Sequence, residues 1–137
     1  MESGVSFAAL DPDTEERFLP LRRMLGVTSF GLNQIVLRPG QRGRIHRHRD
    51  QEEVYLVLSG TLTLVIEREA RELGQGELAR VAPEVRRFIA NRGDEDVVLI
   101  ALGGATEHVG RDGEAFVDWD QEEGAPPQEI PLPPDER

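Results

Sequence analysis

From position 27 onward the chain is a series of short apolar runs, each closed by glycine or proline. Val27–Arg38 is rich in β-branched and apolar residues and stops at Pro39-Gly40. Val54–Leu58 and Leu62–Glu67 flank Ser59-Gly60, which reads as a tight hairpin. Glu69–Leu73, Glu77–Val81 and Val85–Asn91 follow, and Val97–Leu102 is the last clear strand, ending at Gly103-Gly104. Strands this short and this closely spaced leave no room for the helical crossovers of a parallel sheet. They predict an antiparallel sandwich or small barrel.

The ends have a different pattern. Thr14–Leu25 reads as a short helix interrupted by Pro20, and Ala125–Pro134 carries five prolines and reads as an extended tail. Phe116 and Trp119 are placed to tack that segment onto the barrel or onto a second subunit. The expected organisation is an N-terminal arm over 1–26, a barrel over 27–104 and an acidic, proline-rich extension over 105–137. No internal repeat is present.

Alternation also assigns faces. Glu53, Tyr55 and Val57 share one side of their strand, and Glu52, Val54 and Leu56 the other. Asn33 and Gln34 interrupt an apolar strand, so one is expected to line the interior and the other to face out. If Arg87 points inward, Val85 and Ile89 do too, and Phe88 is left on the outside as a candidate interface residue.

A chain of 137 residues can bury a core without disulfides or a structural metal. The net charge of −10 belongs to the ends: residues 1–21 hold five acids and one arginine, and 111–137 hold nine acids and two arginines. The middle has twelve acids and thirteen arginines. This balance opposes nucleic-acid binding. Arg38, Arg42, Arg44, Arg47 and Arg49 form a basic cluster, read either as a solvated rim or as an anion-binding one. Cysteine is absent, which excludes thiolate ligands and nucleophilic thiols. Lysine is absent too, which excludes Schiff-base chemistry. The acidic start is unlike a signal peptide and no apolar run spans a membrane, so a cytoplasmic protein is expected.

Good transition-metal ligands gather in one place. On a strand His46 and His48 point the same way, with Arg47 opposite. Glu53 begins the next strand, where antiparallel pairing is expected to bring it alongside. Two imidazoles and one carboxylate suit iron, manganese, nickel or zinc and leave coordination positions open.

The same stretch resembles the first motif of the cupin superfamily, G(X)5HXH(X)3–4E(X)6G. Gly40, His46, His48, Glu53 and Gly60 fit its fixed positions. The second motif, G(X)5PXG(X)2H(X)3N, is matched by Gly76 and Asn91, with Ala82 for the proline, Glu84 for the glycine and Arg87 for the histidine. The resemblance covers roughly residues 27–103. It implies an all-β, antiparallel double-stranded β-helix (a jelly-roll barrel) of the small conserved-barrel type, with one divalent metal on His46, His48 and Glu53. It also implies a homodimer.

The fourth ligand of that family is missing. Arginine offers only donors and stays charged, so Arg87 cannot ligate a cation. Its neighbours Arg86 and Phe88 are equally unsuitable, and His108, outside the motif, reads as a surface residue. A guanidinium in the pocket requires a partner, either Glu53 or an anionic ligand. Tyr55 reads as a wall residue that helps to bind substrate. Two functions follow: a metal-dependent dioxygenase or isomerase acting on a small anionic molecule, or a metal-free barrel that binds a small ligand as a sensor or structural module.

Overall fold

The computed structural model describes residues 4–104 and 112–136; His108 lies outside them. Among the described residues, ten strands form two antiparallel five-stranded sheets. They are β1 (Phe18–Leu19), β2 (Gly31–Leu37), β3 (Ile45–His48), β4 (Glu52–Ser59), β5 (Leu62–Ile66), β6 (Glu69–Leu73), β7 (Leu78–Val81), β8 (Arg87–Ala90), β9 (Val97–Gly104) and β10 (Gly113–Phe116). One sheet has the order β1-β2-β9-β4-β7 and the other β10-β3-β8-β5-β6. The expected jelly-roll barrel is therefore present, with Ile35, Leu37, Val57, Leu62, Leu99 and their neighbours closing the core between the sheets.

Several local expectations need correction. Ser59-Gly60 is not a hairpin, because β4 and β5 belong to opposite sheets. The glycine arches the chain from one sheet to the other at φ +80°, and a Cβ there would lie 2.3 Å from the Asp96 carbonyl oxygen. A turn dipeptide signals a reversal without saying whether the strands pair or part. The true tight hairpin joins β5 to β6 through Glu67 and Arg68, both at positive φ.

The helix near the N-terminus shrinks to α1 (Leu21–Leu25), closed by Gly26 in the left-handed region. Residues before Pro20 are held extended, and Phe18 and Leu19 pair with Ile35 and Gln34. Gln34 is fully buried, yet on the outside of its sheet. Its side-chain amide accepts from the Asp11 N–H at 2.8 Å and donates to the Asp11 carbonyl at 2.9 Å. It clips the arm down like an extra strand partner, while Asn33 shares the inward face with Ile35 and Leu37. Gln34→Ala should cost about 1–3 kcal/mol. It should also expose residues near Asp11 to protease while the barrel stays folded, which limited proteolysis with urea unfolding will read.

The C-terminal segment is built into the barrel. β10 pairs with β3, setting Ala115 opposite His46 and Gly113 opposite His48. Phe88 does face outward, as the alternation required, but it is buried. Phe116, Trp119, Ile45 and Val65 cover it in a second apolar cluster, and the Arg42 guanidinium lies 3.7 Å above its ring. The expectation of an exposed phenylalanine at a subunit interface is overturned, because this chain supplies its own cover. The basic cluster is likewise met from within. Arg44 donates to the Ile130 carbonyl, Arg47 pairs with Glu114, and Arg38 pairs with Asp96.

Candidate metal centre

Two facing rows of side chains make the site. In one sheet, pairing sets Ala115, His46, Arg87 and Ile66 side by side. In the other it sets Gly31, Gly103, Glu53 and Val81 side by side. Glu53 is thus not on a strand paired with the histidines, as expected, but reaches them across the barrel interior. The local reason is the crossing of the chain between sheets at Arg49–Gln51. The face assignment itself stands, since Tyr55 and Val57 point inward with Glu53 and are almost fully buried.

The Nε2 atom of His46 lies 3.4 Å from Glu53 Oε1, and that of His48 lies 3.8 Å from Glu53 Oε2. One ligand atom from each of the three residues can be chosen with all three within 4.8 Å of one another. All three side chains keep some solvent access.

The outer edges of the imidazoles decide which nitrogen is free. His46 Nδ1 lies 3.2 Å from the Arg44 carbonyl oxygen, which can only accept. His48 Nδ1 lies 2.8 Å from Asp112 Oδ1. Both Nδ1 atoms therefore carry a hydrogen, and both Nε2 atoms face Glu53. Burial pulls the His48 imidazole below its usual range, against the opposing pull of Glu53 and Asp112, which favours its neutral form. Two imidazole nitrogens and a carboxylate gathered at one point are a ligand set that could hold a divalent cation.

Arg87 is fully buried and points inward. Its Nη2 donates to Glu53 Oε1 at 2.8 Å, and its Nη1 donates to the Val85 carbonyl at 2.8 Å. The Tyr55 hydroxyl donates to the same Glu53 Oε1 at 2.5 Å. Glu53 thus divides its oxygens: Oε1 is held by Arg87 and Tyr55, and Oε2 is turned towards His48. Burial alone would push the Glu53 carboxyl up. The hydrogen bond with His46 and the Arg87 guanidinium outweigh it and hold the group well below the usual carboxylate range. Burial and then the Glu53 charge push the Tyr55 phenol well up, so it remains a donor. Burial pulls against the Arg87 charge, but Tyr55 and Glu53 more than offset it.

Three residues that hold the site in shape were not foreseen. Asp112 anchors His48, Gln51 donates to Asp112 Oδ1 at 2.8 Å, and the Arg44 carbonyl anchors His46. In the sequence Asp112 sits in Arg-Asp-Gly, an ordinary turn tripeptide 59 residues beyond Glu53. Only the pairing of β10 with β3 reveals its place.

The cupin domain profile matches residues 33–103. No curated protein matches the chain. Among solved structures, a sugar phosphate isomerase from Silicibacter pomeroyi is similar at 24% identity and a TM-score of 0.64, over 74% of this chain and 65% of that one. The chain thus spans less than two thirds of the isomerase. A cupin protein from Bacteroides fragilis is similar at 21% identity and a TM-score of 0.67, over 88% and 97% of the two chains. A Cupin 2 conserved barrel domain protein from Salinispora arenicola is similar at 24% identity and a TM-score of 0.59, over 70% and 81%. With the profile spanning just over half of its residues, and the histidines and glutamate of the first motif meeting inside the barrel, the chain belongs to the cupin domain family.

Proposed function

We propose that this protein is a metal-dependent isomerase of a small anionic molecule, holding one divalent transition metal on His46 Nε2, His48 Nε2 and Glu53 Oε2. The observation that carries this reading is the convergence of His46, His48 and Glu53, whose ligand atoms lie within 4.8 Å of one another. A divalent ion there would act as a Lewis acid on a substrate oxygen.

The charge count supports an anionic substrate. A divalent ion with one carboxylate, two neutral imidazoles and Arg87 leaves an excess of two positive charges inside the barrel, and Asp112 behind His48 offsets only one. Buried charge of this size calls for a compensating anion. Tyr55 and Arg87 are both engaged with Glu53, so they serve the anion through the positive field of the pocket and by keeping Glu53 in place. The fold likeness to a sugar phosphate isomerase makes phosphorylated sugars the first substrates to try.

The alternative is a metal-free ligand-binding barrel, favoured by the Arg87–Glu53 ion pair, which already neutralises the carboxylate. Metal loading separates the two. The native chain, incubated with iron, manganese, nickel or zinc and then dialysed, should retain close to one equivalent, and aldose–ketose exchange of sugar phosphates should depend on it. Retention below about a tenth of an equivalent for every metal would sink the isomerase reading.

A further inference from the structure

Asp112 stands directly behind His48, on the side away from the pocket. Its side chain is only 4% exposed, and each of its oxygens is met by donors. Oδ2 accepts the backbone N–H groups of Asp50 and Gln51, both at 2.9 Å. Oδ1 accepts the Gln51 side-chain amide at 2.8 Å and faces His48 Nδ1 at 2.8 Å. A carboxylate receiving three N–H donors has no reason to hold a proton of its own. The hydrogen between Asp112 and His48 therefore sits on the imidazole.

The surroundings keep this carboxylate still. Gly113, the next residue, pairs with His48 itself across β10 and β3. The Gln51 amide occupies the space that a side chain at position 103 would fill, since a Cβ on Gly103 would meet its Oε1 at 2.8 Å. No described group other than Asp112 accepts from His48 Nδ1.

We propose that Asp112 is a positioning residue of the barrel site: it fixes the tautomer and ring plane of His48, so that a strand from the C-terminal extension governs the ligand presented from the cupin motif. This rests on the reading of His48 as a ligand, but its central claim concerns the metal-free protein. A second-sphere carboxylate of this kind raises metal affinity by holding the lone pair in line before the ion arrives.

The substitution Asp112→Asn discriminates well. An asparagine keeps the shape but must point its oxygen at the two backbone N–H groups, which leaves its NH2 facing His48. Nδ1 then has to accept, the hydrogen moves to Nε2, and the lone pair leaves the pocket. The test is long-range proton–nitrogen NMR of the metal-free full chain at alkaline pH. Native protein should show both His46 and His48 protonated on Nδ1. In Asp112→Asn, His48 should switch to Nε2–H while His46 stays unchanged and serves as the internal control for folding. Cobalt(II) affinity, read by absorbance titration, should fall about 10- to 100-fold in the variant.

Native His48 protonated on Nε2, or an unaltered tautomer in a folded Asp112→Asn chain, would overturn the assignment. The native measurement stands even where the variant does not fold. Native protein that shows the expected tautomers but takes up no cobalt would refute the metal reading and leave the assignment of Asp112 intact.

Discussion

Replacing Arg87 by leucine should lower the unfolding free energy by about 3–5 kcal/mol, the range for removing one partner of a buried ion pair. The guanidinium is inaccessible to solvent, and it satisfies Glu53 and the Val85 carbonyl at the same time. Its loss removes the one permanent positive charge that faces the Glu53 carboxylate and leaves the Tyr55 hydroxyl to hold Oε1. The loss is expected to show in urea unfolding at neutral pH. It should shrink as the pH falls, and the sign follows from Glu53. A carboxyl depressed by its neighbours contributes stability above its unfolded value, about 4.3, and that contribution disappears as the pH drops towards the folded value. Arg87→Leu removes part of the depression, so its acid unfolding should be less steep than that of the native chain. A loss under about 1 kcal/mol would mean that the pair contributes no more than a surface salt bridge.

Arg87→His should move stability and metal affinity in opposite directions. It breaks the same pair, so the barrel weakens. Yet position 87 sits directly across from His46 in the β3–β8 pairing, on the inward face, and a histidine there supplies a third imidazole where the cupin motif expects one. It also removes a positive charge from beside the ion. A unit charge and a divalent ion sharing one carboxylate repel by a few kcal/mol, on the order of the Coulomb energy at an effective dielectric of about 20. Even a fraction of it gives a gain of a hundredfold or more in affinity for nickel or zinc, which competition against a chelator will measure. The same variant should bind anions less well, since the excess positive charge of the pocket is reduced. Unchanged metal affinity would mean that Arg87 does not restrain the site.

What the sequence revealed about this site divides along a physical line. Side-chain direction on a strand is a local property with a period of two, so it was readable from a few residues. Glu53 with Tyr55, His46 with His48, and Arg87 with Ile89 are each expected to share a face, and each pair does so on the inward side. Which strands pair is not local. Ser59-Gly60 carries the signal of a reversal, and only the register of β4 against β7 and β9 shows that it spans two sheets. Gln34 was one of two polar residues expected to split between faces, and it does face out. Its burial comes from an arm twenty-three residues away, which no periodicity encodes. Asp112 is the extreme case. Its tripeptide has no chemical signature, and its meaning depends wholly on where β10 lands.

That landing also sets a timetable. β3 carries both histidines, and its neighbours in the sheet are β8 and β10. Both lie far downstream, with Arg87 forty-one residues beyond His46 and Gly113 sixty-five beyond His48. The ligand strand therefore has no early partner. Contacts at such separation carry a large loop-closure cost and form late. A growing or refolding chain would complete β5–β6 and the Glu67-Arg68 turn well before His46 and His48 are held in line. Metal added during refolding should consequently leave the first folding phase untouched and change only the last one. The three side chains of the candidate site are thus brought together as the closing act of folding.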